Sequence, residues 1–342
     1  GSLPAVDIAI PSISRSGAFG GSGRANQPAM TGRRLALSSC LAFLPQTMPM
    51  KSIRTLLRPA ACALALLTAA PTVADEAPRP ALWKVADADT TIWLFGTIHI
   101  LPEDVAWYAG PVASAFDASH ELVTEIPVEQ AKDSQGVIMR HALRQDGKVL
   151  RRTLGTKERA AYDRAMGAIG LPVTAFDADD AWFAALMLTL IPLKTAGYNL
   201  ESGVDTQIGE RARARRIENV ALESAEYQIT MFDSLPEKTQ RRYLADVIAA
   251  MPTVKTDIDA MVAAWKSGKA DELARLMNEQ EDDPALRKVL LTDRNRTWAD
   301  WLRRRLDRPG TVFVAVGAGH LAGKGSVQDQ LARIGVKSVR VQ

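Results

Sequence analysis

Cysteine is nearly missing from this chain: there are two in 342 residues, Cys40 and Cys62. Histidine is almost as scarce, with His99, His120, His141 and His320. No cysteine follows residue 74, so the rest of the chain has neither a disulfide framework nor a thiol nucleophile. Its stability is expected to come from an apolar core. Long apolar runs are lacking too. The run from Ala60 to Ala70 is too short for a resident bilayer span, which takes about 20 residues. A charge excess also disappears once the leader is set aside. Seven Lys/Arg and one Asp precede residue 75, so totals of 42 and 39 fall to 35 basic and 38 acidic residues. Near neutrality removes the compositional argument for nucleic acid or an anionic membrane as partner.

The remaining composition is uneven along the chain. Residues 1–49 are rich in Gly, Ser, Ala and Pro, and "GSLPAVDIAIPSISRSGAFGGSG" keeps no period. They read as a disordered or misassigned leader. From Met50 the pattern changes. Lys51, Arg54 and Arg58 precede the apolar run, and small residues stand at Thr72 and Ala74. That is the pattern of a secretory signal peptide over 50–74. It predicts a periplasmic or secreted protein, with no integral membrane span after cleavage. Residues 75–81 then read as a polar linker and 82–342 as one domain of sufficient size for its own core.

Within that domain, "ALWKVADADTTIWLFGTIH" predicts two strands joined by an Asp-rich turn. A helix is expected over Glu103–Ala118 and a third strand over His120–Pro127. Residues 129–215 and 226–306 carry mainly helical periods, with a short buried strand, "ENVALES", between them. The strongly apolar "AWFAALMLTLI" reads as a core helix rather than an interface or membrane contact. The chain closes with a strand at 311–317, a helix from about Ser326 to Ile334, and "SVRVQ", a β-α-β unit that implies a parallel pair. The predicted fold class is α/β: a single domain with a central mixed sheet gathered from both chain ends, capped by extensive helical insertions.

Two strands end in the same way. "TIWLFGTIHIL" and "TVFVAVGAGHL" each place an apolar run before Gly-x-x-His, giving Gly96 with His99 and Gly317 with His320. Sites in α/β sheets form beyond the carboxyl ends of strands, and imidazole serves there as metal ligand or proton carrier. Glu125, in "ELVTEIP", is a third candidate, because a carboxylate in apolar company needs a partner. Two His and one Glu form the ligand set of one class of catalytic zinc site. Other motifs fail. "GAGHLA" leaves too little chain for a dinucleotide fold, "GKGS" lacks the P-loop residues, and there is no H-E-x-x-H.

Taken in order, "LWKV…TIWLFGTIHILP", "ELVTEI", "GVDTQIGERA…ENVALES", "LTDRNRTWADWL" and "VFVAVGAGHLAGKGSVQDQL" resemble the TraB/PrgY/GumN family, which is related to the Tiki-type metalloproteases. The resemblance runs from about Leu82 to the C-terminus. It implies that His99, Glu125 and His320 form a metal-dependent hydrolytic site, and for the Tiki branch it implies peptidase activity with manganese- or cobalt-type ions. Glu223 in "LES", with Arg294 and Asn295 in "DRNR", fall at further motif positions. Pro127 stands where an acidic residue often follows, and Ser224 where Thr is usual.

The resulting expectation is an exported metal-dependent hydrolase acting on a peptide or protein. His99 and His320 would hold manganese, cobalt or zinc, with Glu125 as third ligand or general base. Arg294 would balance the developing oxyanion and Glu223 would orient an imidazole. Two alternatives use the same residues. One is a metal-independent, esterase-like hydrolase in which one His is the general base and Glu125 fixes its tautomer. The other is a non-catalytic exported module that binds a peptide or glycan.

Overall fold

The computed structural model describes residues 77–278 and 284–342. The expected leader and signal peptide lie outside the described residues, and residues 77–81 carry no regular structure. Six strands form one mixed sheet: β1 (Leu82–Ala86), β2 (Thr90–Thr97), β3 (Glu121–Thr124), β4 (Glu218–Ala221), β5 (Gly310–Gly317) and β6 (Ser338–Arg340). Their spatial order is β4-β3-β5-β2-β1-β6. β4, β3, β5 and β2 run parallel, while β1 is antiparallel to both β2 and β6. The α/β expectation, with a sheet drawn from both chain ends, is met.

The strand sequences explain the layering. In β2, Ile92 and Leu94 join Val312, Val314, Trp298, Leu302 and Leu331 in one buried cluster. Phe95 joins Phe313, Phe116 and Trp107 in the other. Alternate side chains of a strand point to opposite faces, so the sheet is buried on both sides. The two helical insertions supply much of the second cluster. Helix Ala181–Thr195 buries Trp182, Phe183, Leu186 and Leu188 there, as expected for a helix apolar all round. Among the described residues, no helix is long and apolar enough to cross a membrane.

Four boundaries differ from expectation. The first helix spans only Gly110–Asp117, because Gly110 has φ +53° and Pro111 follows it, so a helix cannot run through from Glu103. The strand expected to run on to Pro127 stops at Thr124. β4 is shorter than "ENVALES" and is a partly exposed edge strand rather than a buried one. The terminal β-α-β unit does not pair with itself. β5 is already flanked by β3 and β2, so β6 can join only at an edge, and it lies against β1.

Candidate active site

Because β2 and β5 are parallel neighbours, their Gly-x-x-His endings finish side by side. Gly96 faces Val316 and Thr97 faces Gly317, so the two motifs are one residue out of step. A Cβ on Gly96 would sit 3.0 Å from both Cα and Cβ of Ala318, which is why this crossing takes a glycine. Gly317 has φ −49°, which any residue adopts, and its N–H donates to Glu125 Oε1 at 2.7 Å. Glu125 follows β3, the strand on the other side of β5. Thus His99, Glu125 and His320 follow three adjacent parallel strands.

They divide into two settings. His99 Nδ1 lies 2.7 Å from Asp205 Oδ2, and the Thr97 hydroxyl donates to Asp205 Oδ1 at 2.7 Å. A carboxylate only accepts, so Nδ1 carries a proton, and Nε2 is the nitrogen left to gain or lose one. Asp205 sits in the first turn of helix Val204–Arg215, where a negative charge is favoured. That helix begins against the histidine's own backbone. Val204 N–H donates to the Ile98 carbonyl, and a Cβ on Gly203 would fall 2.1 Å from the His99 carbonyl oxygen. Burial pushes the Asp205 carboxyl up, but the His99 charge and hydrogen bond, with the Thr97 hydroxyl, overcome this and hold it below the usual value.

His320 belongs to a buried polar cluster. Its side chain is 0% exposed, against 12% for that of His99. Nδ1 meets Asn295 Oδ1 at 2.5 Å, while Nε2 accepts from Arg294 Nη1 at 3.0 Å. Burial, then the Arg294 charge and His99, keep the ring well below its ordinary pKa, so it is neutral. Trp298 packs on it with ring centroids 4.3 Å apart. Arg294 is the hub. Nη2 donates to Glu125 Oε2 at 2.6 Å and Glu223 Oε2 at 2.9 Å, Nε donates to Glu223, and Nη1 also reaches the Leu290 carbonyl. Burial alone would lower the guanidinium pKa; Glu125 and Glu223 outweigh it and raise it. Gln228 Nε2 donates to both carboxylates, at 2.9 and 3.0 Å, and Trp298 Nε1 donates to Glu223.

Several expected roles change on these contacts. Glu223 engages Arg294, Gln228 and Trp298 rather than orienting an imidazole. Every nitrogen of Arg294 is engaged within the protein, which makes it a frame rather than an oxyanion partner. The residue that fixes a histidine tautomer is Asp205, not Glu125. Asp205 and Gln228 had no assigned role in the sequence, although Asp205 stands in "GVDTQIGERA" with a glycine and a helix start beside it. His120 and His141 lie outside this site.

The expected metal can be tested against the donor set. Both oxygens of Glu125 accept from N–H groups, and Nε2 of His320 faces Arg294 Nη1. A cation shared by His99, Glu125 and His320 would have to displace a guanidinium held by two carboxylates. Among the described residues, no group of three or more His, Cys, Asp or Glu is arranged to hold a metal. As placed, these residues do not fit a manganese, cobalt or zinc ion.

Fold and site together define an α/β protein with a polar, histidine-bearing cluster at the carboxyl rim of its parallel strands. Residues 81–340 match the model of the TraB/PrgY/gumN family, and the chain belongs to that family. Similar proteins include the uncharacterized protein YbaP of Escherichia coli (strain K12), 29% identical over 163 residues, covering 48% of this chain and 60% of that one. YbaP of Shigella flexneri matches to the same extent. An uncharacterized protein of Treponema pallidum (strain Nichols) is 23% identical over 264 residues, 72% of this chain and 78% of the other. The match thus spans less than two thirds of the YbaP chains. No solved structure matches.

Proposed function

We propose that this chain is an exported hydrolase of acyl bonds, with His99 as general base on water and Asp205 fixing its tautomer. The observation that carries the reading is the 2.7 Å contact between His99 Nδ1 and Asp205 Oδ2, at the carboxyl end of a central strand. Asp205 would stabilise the imidazolium formed when Nε2 takes a proton from water, and the ring would return that proton to the leaving group. The Arg294 cluster would hold the neutral His320 and the strand ends in place around the reacting water. Export is supported by the signal-like pattern of residues 50–74, and a peptide or protein substrate is the expectation that the TraB/PrgY/GumN resemblance carries through its Tiki branch.

The test is a panel of peptides and esters incubated with protein purified without chelator, then read by mass spectrometry. The reading expects cleavage that survives exhaustive chelation and disappears in His99→Ala. A second reading, favoured by the paired Gly-x-x-His endings, is the metal-dependent peptidase with the ion on His99, Glu125 and His320. It requires Arg294 to leave its place. Cleavage lost on chelation, restored by manganese, cobalt or zinc, would overturn the first reading for the second. Binding of a peptide or glycan with no cleavage anywhere in the panel would replace both with a binding module.

A further inference from the structure

Helix Ala225–Asp233 is gripped on two opposite sides. On one, Gln228, 2% exposed, donates its amide to Glu125 and Glu223. On the other, His141 reaches across from helix Gln135–Ala142. Its Nδ1 lies 2.6 Å from Asp233 Oδ2 and its Nε2 2.7 Å from Glu226 Oε1. Positions 226 and 233 are seven residues apart and share one stripe of the helix, while 228 is turned about 200° from 226. We infer that Gln228 is a positioning residue for Glu125 and Glu223, and that the His141 clasp makes its position depend on pH.

The dependence follows from counting protons. Two carboxylates accept from the two ring nitrogens, which only the doubly protonated ring can satisfy. A neutral ring keeps one N–H and turns a lone pair toward the other carboxylate, so one anchor of the helix is lost. The hydrogen bond to Asp233, then that to Glu226, raise the His141 pKa above 6.5. The folded value is the raised one, so the clasp is whole below about pH 6.5 and is lost as pH climbs through the higher folded value. Other charges near it are Arg140, 3.6 Å from Glu226, and Arg144 with its partners Asp146, Asp180 and Glu237. Glu129 stands on the preceding helix, Val128–Asp133. Asp146, Asp180 and Glu237 pair with Arg144, and the direct partners of the ring are Glu226 and Asp233.

Only the catalytic consequence of this inference rests on the proposed hydrolase, so the test reads the cluster directly. In proton–nitrogen spectra of the full chain from about pH 5.5 to 9, three signals are followed: the His141 ring, the Gln228 side-chain amide and the Trp298 indole, which donates to Glu223. The expected result is one shared midpoint above 6.5 for all three. In His141→Gln, and in Glu226→Gln as a second variant at an exposed position, that titration of the Gln228 and Trp298 signals is lost while circular dichroism stays native. A His141 ring that titrates alone, or reporters that move equally in both variants, would overturn the inference. If no hydrolysis is ever found, the spectra still decide it. If hydrolysis is found, His141→Gln flattens the alkaline limb of the kcat/KM profile.

Discussion

Arg294 and Glu125 meet at 2.6 Å with their side chains 1% and 2% exposed, far from each other in sequence and shut off from water. Two charges so placed stabilise the fold only while both are present. Removing Arg294 leaves Glu125 and Glu223 buried without their cation, which costs about 3–5 kcal/mol.

Arg294→Met is therefore expected to destabilise the protein by about that amount in denaturant titration. Adding Glu125→Gln to it should restore part of the loss, because one of the two carboxylates left unpaired, Glu125 and Glu223, is then neutral. A loss under about 1 kcal/mol for the single variant would mean the cluster is not the frame described.

Gly203→Ala and Gly96→Ala rank by what a new methyl would meet. At Gly203 it would lie 2.1 Å from the His99 carbonyl oxygen, and at Gly96 it would lie 3.0 Å from Ala318. Both overpack, at a typical cost of about 1–3 kcal/mol, and Gly203→Ala should be the worse and should displace His99 as well. Thermal unfolding and hydrolysis measured side by side check the order. Equal, small effects would contradict it.

Asp179 is a buried carboxyl with a pKa raised to about 6, first by burial and then by the Asp180 charge. Its unfolded value is near the model-peptide value of about 3.9. The folded state thus holds the proton more tightly, and its stabilising effect is full below about pH 4 and is lost as pH rises through about 6. Asp179→Asn should gain about 1 kcal/mol at pH 8, less than the full shift because the carboxyl keeps partial solvent contact, and nothing at pH 4. Denaturant midpoints at the two pH values check this. An equal change at both would be the contrary result.

The legible parts of the chain were those with local signals. β2 and β5 are near-continuous apolar runs, and Gly96-x-x-His99 with Gly317-x-x-His320 marked the strand ends where the polar cluster forms. Which strands lie side by side was not legible. That choice is made by pairing over more than two hundred residues, and it sends β6 to β1 although its nearest strand in the chain is β5. The partners of the histidines were hidden for the same reason. Asp205 is a first-turn carboxylate like many others until Gly203 seats its helix on the His99 backbone. Gln228 is an ordinary polar residue on a helix until β3 brings Glu125 to it.

Asp205→Asn is the most direct measurement of the dyad's role, read as kcat/KM for whichever bond the panel identifies, with the unfolding temperature recorded alongside. An amide keeps the shape but can present its NH2 to Nδ1, favouring the wrong ring tautomer. The expected result is a fall of up to about 10⁴-fold, the loss seen when an amide replaces the carboxylate behind a catalytic histidine, with the fold retained. An unchanged rate in a folded variant would contradict the role given to His99 and Asp205.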